Sequence, residues 1–294
     1  MGTIDDIRRA AFELRQTDPQ EAVRVLRRAA AEGRDAEVLA RGALAEIYLE
    51  EFGDLDGAAS EFRKVLAAAP GLAAAEIGLA RTRREAGDFS EADAGFSRAL
   101  ESLSRDVAMF EKQPPPGAEE VVLTVLEVAV ELAELRAASG HDKAVATPID
   151  EDLLQWAAGE KLFDAEGDQD DWVRFHSLWT RLRLITGRAE EALAAIRESE
   201  RQGELPPAEA ARLLSLALED LGDLRRAGAE SKRMLDLLPP PWPLSETLRA
   251  AHLLGDDELL TRAVRQWPAD SEEAAALRKA LGAPELVGLK KPEA

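Results

Sequence analysis

The sequence predicts an all-α fold: antiparallel helix pairs stacked as a solenoid, interrupted in the middle by an irregular acidic segment. Three observations predict it. The first is composition: Ala, Leu, Glu and Arg, all strong helix formers, dominate a chain of 294 residues that contains no asparagine and 1 tyrosine, Tyr48. The second is the lack of strand patterning. Only Val121–Val130 approaches a run of β-branched residues, and Leu123, Leu126 and Val130 within it fit one helical face equally well. The third is an internal repeat: shifting the chain by 34 residues places Gly53, Asp54, Ala58, Phe62 and Leu66 on Gly87, Asp88, Ala92, Phe96 and Leu100.

Each recurring residue has a physical role. The glycine can take a positive φ and end one helix, and the aspartate can cap the next by accepting its unpaired N–H groups. The alanine lets two helices cross closely, and the phenylalanine one turn later fills the space beside the crossing. Pro70 then stops the second helix, because it cannot continue the hydrogen-bond ladder.

Read in order, the elements begin with a half-pattern, Ala22-x-x-x-Leu26 after Asp18-Pro19, which implies a repeat at the very start. Two full copies follow. A long helix is then predicted to end near Glu111, and Pro114-Pro115-Pro116-Gly117 separates it from another over about Glu119–Ser139. Residues 140–171 fit no repeat. Weaker copies resume with Trp179-Thr180, Gly187 and Ala192-x-x-x-Ile196, then Leu214-Ser215, Gly222-Asp223, Ala227-x-x-x-Ser231 and Pro239. Pro206-Pro207 sits where a helix can begin, and Pro239–Pro243 is a stiff connector. Gly255-Asp256 suggests one more degenerate copy. The expected organisation is an N-terminal array at 1–113, a long helix plus acidic segment at 114–171, a second array at 172–284, and a flexible tail at 285–294.

These motifs resemble the tetratricopeptide repeat family. Its Leu-Gly-x-x-Tyr helix, Ala-x-x-x-Phe helix and closing proline are matched by Leu44-Ala45-x-x-Tyr48, Ala58-x-x-x-Phe62 and Pro70, with Ala in place of the glycine and one extra residue before Gly53. In the next copy Arg83 stands where the tyrosine would be. The resemblance implies a right-handed superhelix whose concave face, lined by the first helix of each pair, binds another protein or a peptide. Helical spacing on those first helices gives Leu39, Gly42 and Glu46; Ile77, Arg81 and Arg84; Arg174, Ser177 and Arg181; and Arg212 with Leu216. Two readings of the five arginines stand side by side. They are forks for an acidic segment or C-terminus of a partner, or they are ordinary solubilising residues paired with nearby glutamates. The chaperone-tail carboxylate clamp known in the family needs a groove asparagine, which this chain lacks.

Charge narrows the function classes. Lys+Arg number 37 against 57 Asp+Glu, a net −20, so a phosphate backbone is repelled and nucleic acid is not an expected partner. No run reaches the ~18 apolar residues of a membrane span, and Met1–Ala10 lacks the apolar centre of a secretory leader. With no cysteine, disulfides, thiolate catalysis and Cys-bound zinc are excluded, and a cytoplasmic location is expected. Glu151–Asp171 carries eight acids and one base, Lys161, with Trp156, Leu162 and Phe163 interleaved. It reads as a solvated loop, as a dock for a basic partner, or as a cover for the arginine-bearing groove. Asp164–Asp170 has the wrong glycine position for a calcium loop. Trp172, Phe175 and Trp179 form one helical stripe expected in the core, with His176 packed beside them.

No enzyme is expected. His141, His176 and His252 form no i, i+4 metal pair, and neither a phosphate-binding glycine loop after a strand nor a Gly-x-Ser-x-Gly elbow occurs. No cofactor follows from the sequence. The leading expectation is a protein-binding adaptor using Leu39, Ile77, Arg81, Arg84, Arg174, Arg181, Arg212 and Leu216. The alternative is a structural subunit that assembles through solenoid ends or exposed apolar patches.

Overall fold

The computed structural model describes residues 3–110, 117–140, 169–268 and 271–282. The chain divides into two compact units, Met1–Leu162 and Phe163–Ala294. Every regular element among the described residues is helical. The triple proline at 114–116, the acidic stretch up to Asp168, its interleaved aromatics, His141 and the tail beyond Gly282 lie outside the described residues.

The first unit opens with α1 (Thr3–Arg9), a π-helical turn (Ala10–Leu14) and α2 (Arg15–Thr17), which run on from one another. Then come α3 (Pro19–Ala29), α4 (Arg34–Glu50), α5 (Leu55–Ala68), α6 (Ala73–Glu85), α7 (Phe89–Phe110) and α8 (Ala118–Ala138). The second unit holds α9 (Gln169–Ile185), α10 (Ala189–Gln202), α11 (Pro207–Asp220), α12 (Leu224–Leu237), α13 (Leu244–Leu254), α14 (Asp257–Val264) and α15 (Glu272–Gly282). Consecutive helices pack as hairpins in both units. First helices of successive pairs also touch, α1 with α4 and α4 with α6, then α9 with α11 and α13 with α15.

The punctuation follows the sequence chemistry. Asp54 accepts from Gly57 N at 2.9 Å, Asp223 from Arg226 N at 3.2 Å and Asp256 from Leu259 N at 3.0 Å, each satisfying a donor that the first turn leaves unpaired. Gly87 takes φ 78° and closes α6 through Asp88 N to Arg83 O at 2.9 Å. The extra residue before Gly53 shows in the same bond one repeat earlier, where Asp54 N reaches Tyr48 O at 2.8 Å, one residue farther back.

Close crossings carry the core. Ala58, Phe62, Ala92 and Phe96 are all buried. A Cβ on Gly78 would land in the Phe62 ring, against Cζ and both Cε atoms, and one on Gly95 would come 2.9 Å from the Ala80 Cβ. Glycine is therefore what lets α6 approach α5, and α7 approach α6.

The ambiguous stretch at 121–130 is helical, within α8. That helix is buried over most of its surface, from Val122 and Leu123 to Leu132 and Leu135, which explains why it shows so little amphipathic period. Its partly exposed positions include Glu127, Glu131 and Glu134, a polar stripe along one side.

In the fourth copy Ser231 stands where the phenylalanine would be, and the crossing is polar instead. Ser215 Oγ donates to Ala227 O at 2.7 Å and lies 2.7 Å from Ser231 Oγ, so the Ser231 hydroxyl is the donor between them. Arg249 Nη2, from α13, donates to Ser215 Oγ at 3.0 Å and to Glu219 Oε2 at 2.7 Å.

Candidate functional site

The residues singled out from the sequence do fall on first helices: Leu39 on α4, Ile77, Arg81 and Arg84 on α6, Arg174 and Arg181 on α9, and Arg212 and Leu216 on α11. Their surroundings differ from one another. Leu39 is 51 % exposed, whereas Ile77 is 6 % exposed and packs inside the first unit. Leu216 is partly covered against the cluster around Leu213 and Leu214. Arg174 is half-buried and Arg181 exposed.

Arg81 and Arg84 converge on one carboxylate. Arg81 Nε donates to Glu131 Oε1 at 2.9 Å and Arg84 Nη1 to Glu131 Oε2 at 2.8 Å. Burial works against the Arg81 charge, but the hydrogen bond and charge of Glu131, with Glu127 and Glu50 behind it, outweigh that and raise its pKa. In the second unit Arg212 forms a fork with Glu209, Nε at 2.8 Å and Nη2 at 2.6 Å, while Ser177 Oγ donates to Glu209 Oε1 at 2.7 Å. Burial alone would raise the Glu209 pKa; Arg212 and the Ser177 hydroxyl together hold it below the usual range. Arg81, Arg84 and Arg212 thus each meet a carboxylate of their own unit. The sequence offered no sign of Glu131 as a partner, because it stands 47 residues beyond Arg84 and on another helix.

Leu39, Gly42 and Glu46, groove positions read from the sequence, stand in one wall of an apolar groove of about 370 Å³ in the first unit, formed by α4 to α6; what sequence reasoning missed is the facing wall, formed by α1 and the π-turn. Ile4 (57 % exposed), Phe12 (72 %), Leu39 and Leu72 (39 %) line it. Gly42 forms part of its wall, and a Cβ there would meet nothing within 4 Å. Glu46 stands in the same wall. Burial lifts its carboxyl above the usual range; Glu50 adds to that shift, and Arg15 and Arg81 oppose it. The signal that could have revealed the α1 wall is the spacing Ile4, Ile7 and Ala11 ahead of the Asp18-Pro19 cap, one helical face outside the repeat motif.

Of the predicted stripe in the second unit, Phe175 and Trp179 are buried and Trp172 is partly buried, with the Arg183 guanidinium 4.0 Å from the centroid of the Trp179 ring. His176 is also buried, but its Nε2 has no hydrogen-bond partner among the described residues. Burial, and then Arg183, pushes its pKa down to about 4, so the ring is neutral. Among the described residues no cluster of His, Asp and Glu is placed to hold a metal ion, and no described helix is long and apolar enough to cross a membrane.

Stacked helix hairpins punctuated by Gly–Asp turns define a helical-repeat protein. A family model for the tetratricopeptide repeat matches residues 49–110 of this chain. Solved structures of similar fold include PilF of Pseudomonas aeruginosa, at 17 % identity over 84 % of this chain and 99 % of that one, with a TM-score of 0.47. The RpL4 assembly chaperone Acl4 aligns at 18 % identity over 98 % of this chain and 99 % of that one, with a TM-score of 0.40. A tetratricopeptide repeat protein of Parabacteroides merdae aligns at 16 % identity over 86 % and 97 %, with a TM-score of 0.35. No curated protein matches the chain.

Proposed function

We propose that this chain is a non-catalytic interaction scaffold that holds a partner protein or peptide against the first helices of its pairs. Folds of this kind work by surface complementarity between stacked repeats and an extended ligand. The observation that carries the reading is the apolar groove of the first unit, where bulky side chains stay in water on the face that first helices share. Leu39 is its contact on α4. In the second unit Arg174, Arg181, Arg212 and Leu216 form the corresponding face. Arg81, Arg84 and Arg212, held by Glu131 and Glu209, would act as ordered polar rims. A cytoplasmic location belongs to the same reading, since a cysteine-free chain makes no use of an oxidising compartment.

The test is capture from native lysate with the tagged full chain, eluted in steps of rising salt and identified by mass spectrometry. A stoichiometric partner supports the scaffold; recovery of the bait alone counts against it. A second reading, a structural subunit of an assembly, draws on Phe52 and Phe89, exposed at turns beside Gly53 and Asp88. It requires concentration-dependent oligomers in sedimentation that Phe52→Ser and Phe89→Ser abolish.

A further inference from the structure

We infer that the groove between α1 and α4 takes a peptide segment of a partner protein that presents apolar anchor side chains together with a basic residue. The inference rests on the scaffold reading and specifies the chemistry of its ligand.

Shape comes first. A cleft of about 370 Å³ lies within the size range of sites that accept compact ligands, and its lining is mostly aliphatic and aromatic. Ile4, Phe12, Leu39 and Leu72 are four of the large hydrophobic side chains this protein leaves in water, and all four face the same cleft. The wall stays open at Gly42, so a visiting side chain can approach the α4 backbone there. Phe12 belongs to the π-helical turn, a local departure from α geometry that is frequent where helices carry a binding function.

Charge then selects the occupant. Within the lining, Arg8 and Glu46 oppose each other, so the wider field decides. Around Glu46 that field is acidic on balance: Arg15, 3.8 Å from Glu46, is shared with Glu50 and Glu51, Arg81 and Arg84 share Glu131, and Glu127 adds to the field at Arg81. The whole chain carries −20. An acidic peptide, or a second copy of the chain, would approach against that field, and a cationic segment would be drawn in by it. Burial still raises the Glu46 carboxyl although Arg15 and Arg81 oppose it, so a lysine or arginine of the ligand beside it would offset the remaining penalty.

The experiment is selection of 12-residue peptides from a random display library on the full-length protein. Three variants serve as controls. Gly42→Phe fills the groove at a position with free space, Leu39→Asp puts a charge among the anchors, and Glu46→Gln removes the acid. All three must retain the wild-type circular dichroism melt. The expected peptides carry at least two large apolar residues and a Lys or Arg. They lose about tenfold or more in affinity to Gly42→Phe and Leu39→Asp, and several-fold to Glu46→Gln. Enriched peptides that are acidic overturn the inference. So do peptides indifferent to Gly42→Phe, although these leave the scaffold reading standing with its site elsewhere. A concentration-dependent dimer broken by Gly42→Phe makes a second copy the occupant and overturns it too. If no peptide is enriched and the lysate also yields no partner, both readings fall together.

Discussion

Replacing Gly78 with alanine adds one methyl group at the crossing of α5 and α6, at the point where the Phe62 ring already stands. Two effects oppose each other. Alanine in a helix interior is favoured over glycine by about 1 kcal/mol. Forcing a methyl into a packed crossing costs about 1–3 kcal/mol, and Phe62 has little room to yield, being 4 % exposed. Taking about 2 kcal/mol for the overpacking, the variant loses roughly 1 kcal/mol of stability. The same change in a Phe62→Leu background has the opposite sign. Leucine lacks the Cζ and Cε atoms that meet the new methyl, so the gain of about 1 kcal/mol in helix propensity is realised. The coupling between the two sites is therefore about 2 kcal/mol. Urea unfolding followed by far-ultraviolet circular dichroism on all four proteins measures it. If Gly78→Ala raises stability equally in both backgrounds, the close approach of α6 to Phe62 is not what glycine provides there, and the packing argument for the whole 34-residue repeat is refuted.

Three further outcomes are expected. Asp54→Ala removes the cap on Gly57 N and lowers stability by about 1 kcal/mol, read as a shift of the urea midpoint; Asp54→Asn, which can still accept, recovers most of it. Ser215→Ala deletes the hydroxyl shared by Ala227 O, Ser231 and Arg249, at a cost of about 1–3 kcal/mol in the same assay. His176 has a folded pKa near 4 against an ordinary 6.5, so the unfolded chain binds more protons between those values and stability is lost as pH falls through that window. The loss is about 3 kcal/mol, and His176→Phe flattens the dependence of the unfolding free energy on pH between 6.5 and 4.

What could be read from the sequence was what is local. Gly87 and Asp88 reveal a turn because a positive φ and a capping carboxylate are properties of neighbouring residues, and Ala92 with Phe96 reveals a crossing because helical spacing puts them on one face. Helix α8 was harder, since a helix covered over most of its surface sends little periodic signal. The partnership of Arg81 and Arg84 with Glu131 joins α6 to α8 and leaves no trace at any sequence spacing, so the two readings of these arginines, open fork or engaged pair, could not be separated from the sequence. The α1 wall of the groove escaped because Ile4 and Phe12 lie ahead of the first recognisable repeat motif. His176 was expected to pack beside the aromatic stripe, which it does, but its unpartnered Nε2 depends on tertiary surroundings that no single-helix pattern encodes.

Repeat arrays invite cassette engineering, in which one hairpin is duplicated, deleted or exchanged for a consensus copy because each contacts only its neighbours. The serine pair at the crossing of α11 and α12 limits that freedom. Ser215 and Ser231 are completed by Arg249 of the following hairpin, so a consensus phenylalanine at 231 would have to displace a guanidinium supplied from outside its own repeat. Moving α11 and α12 without α13 would remove the guanidinium that donates to Ser215 at 3.0 Å and reaches Ser231 at 3.5 Å. In this stretch the transferable module is three helices long, not two.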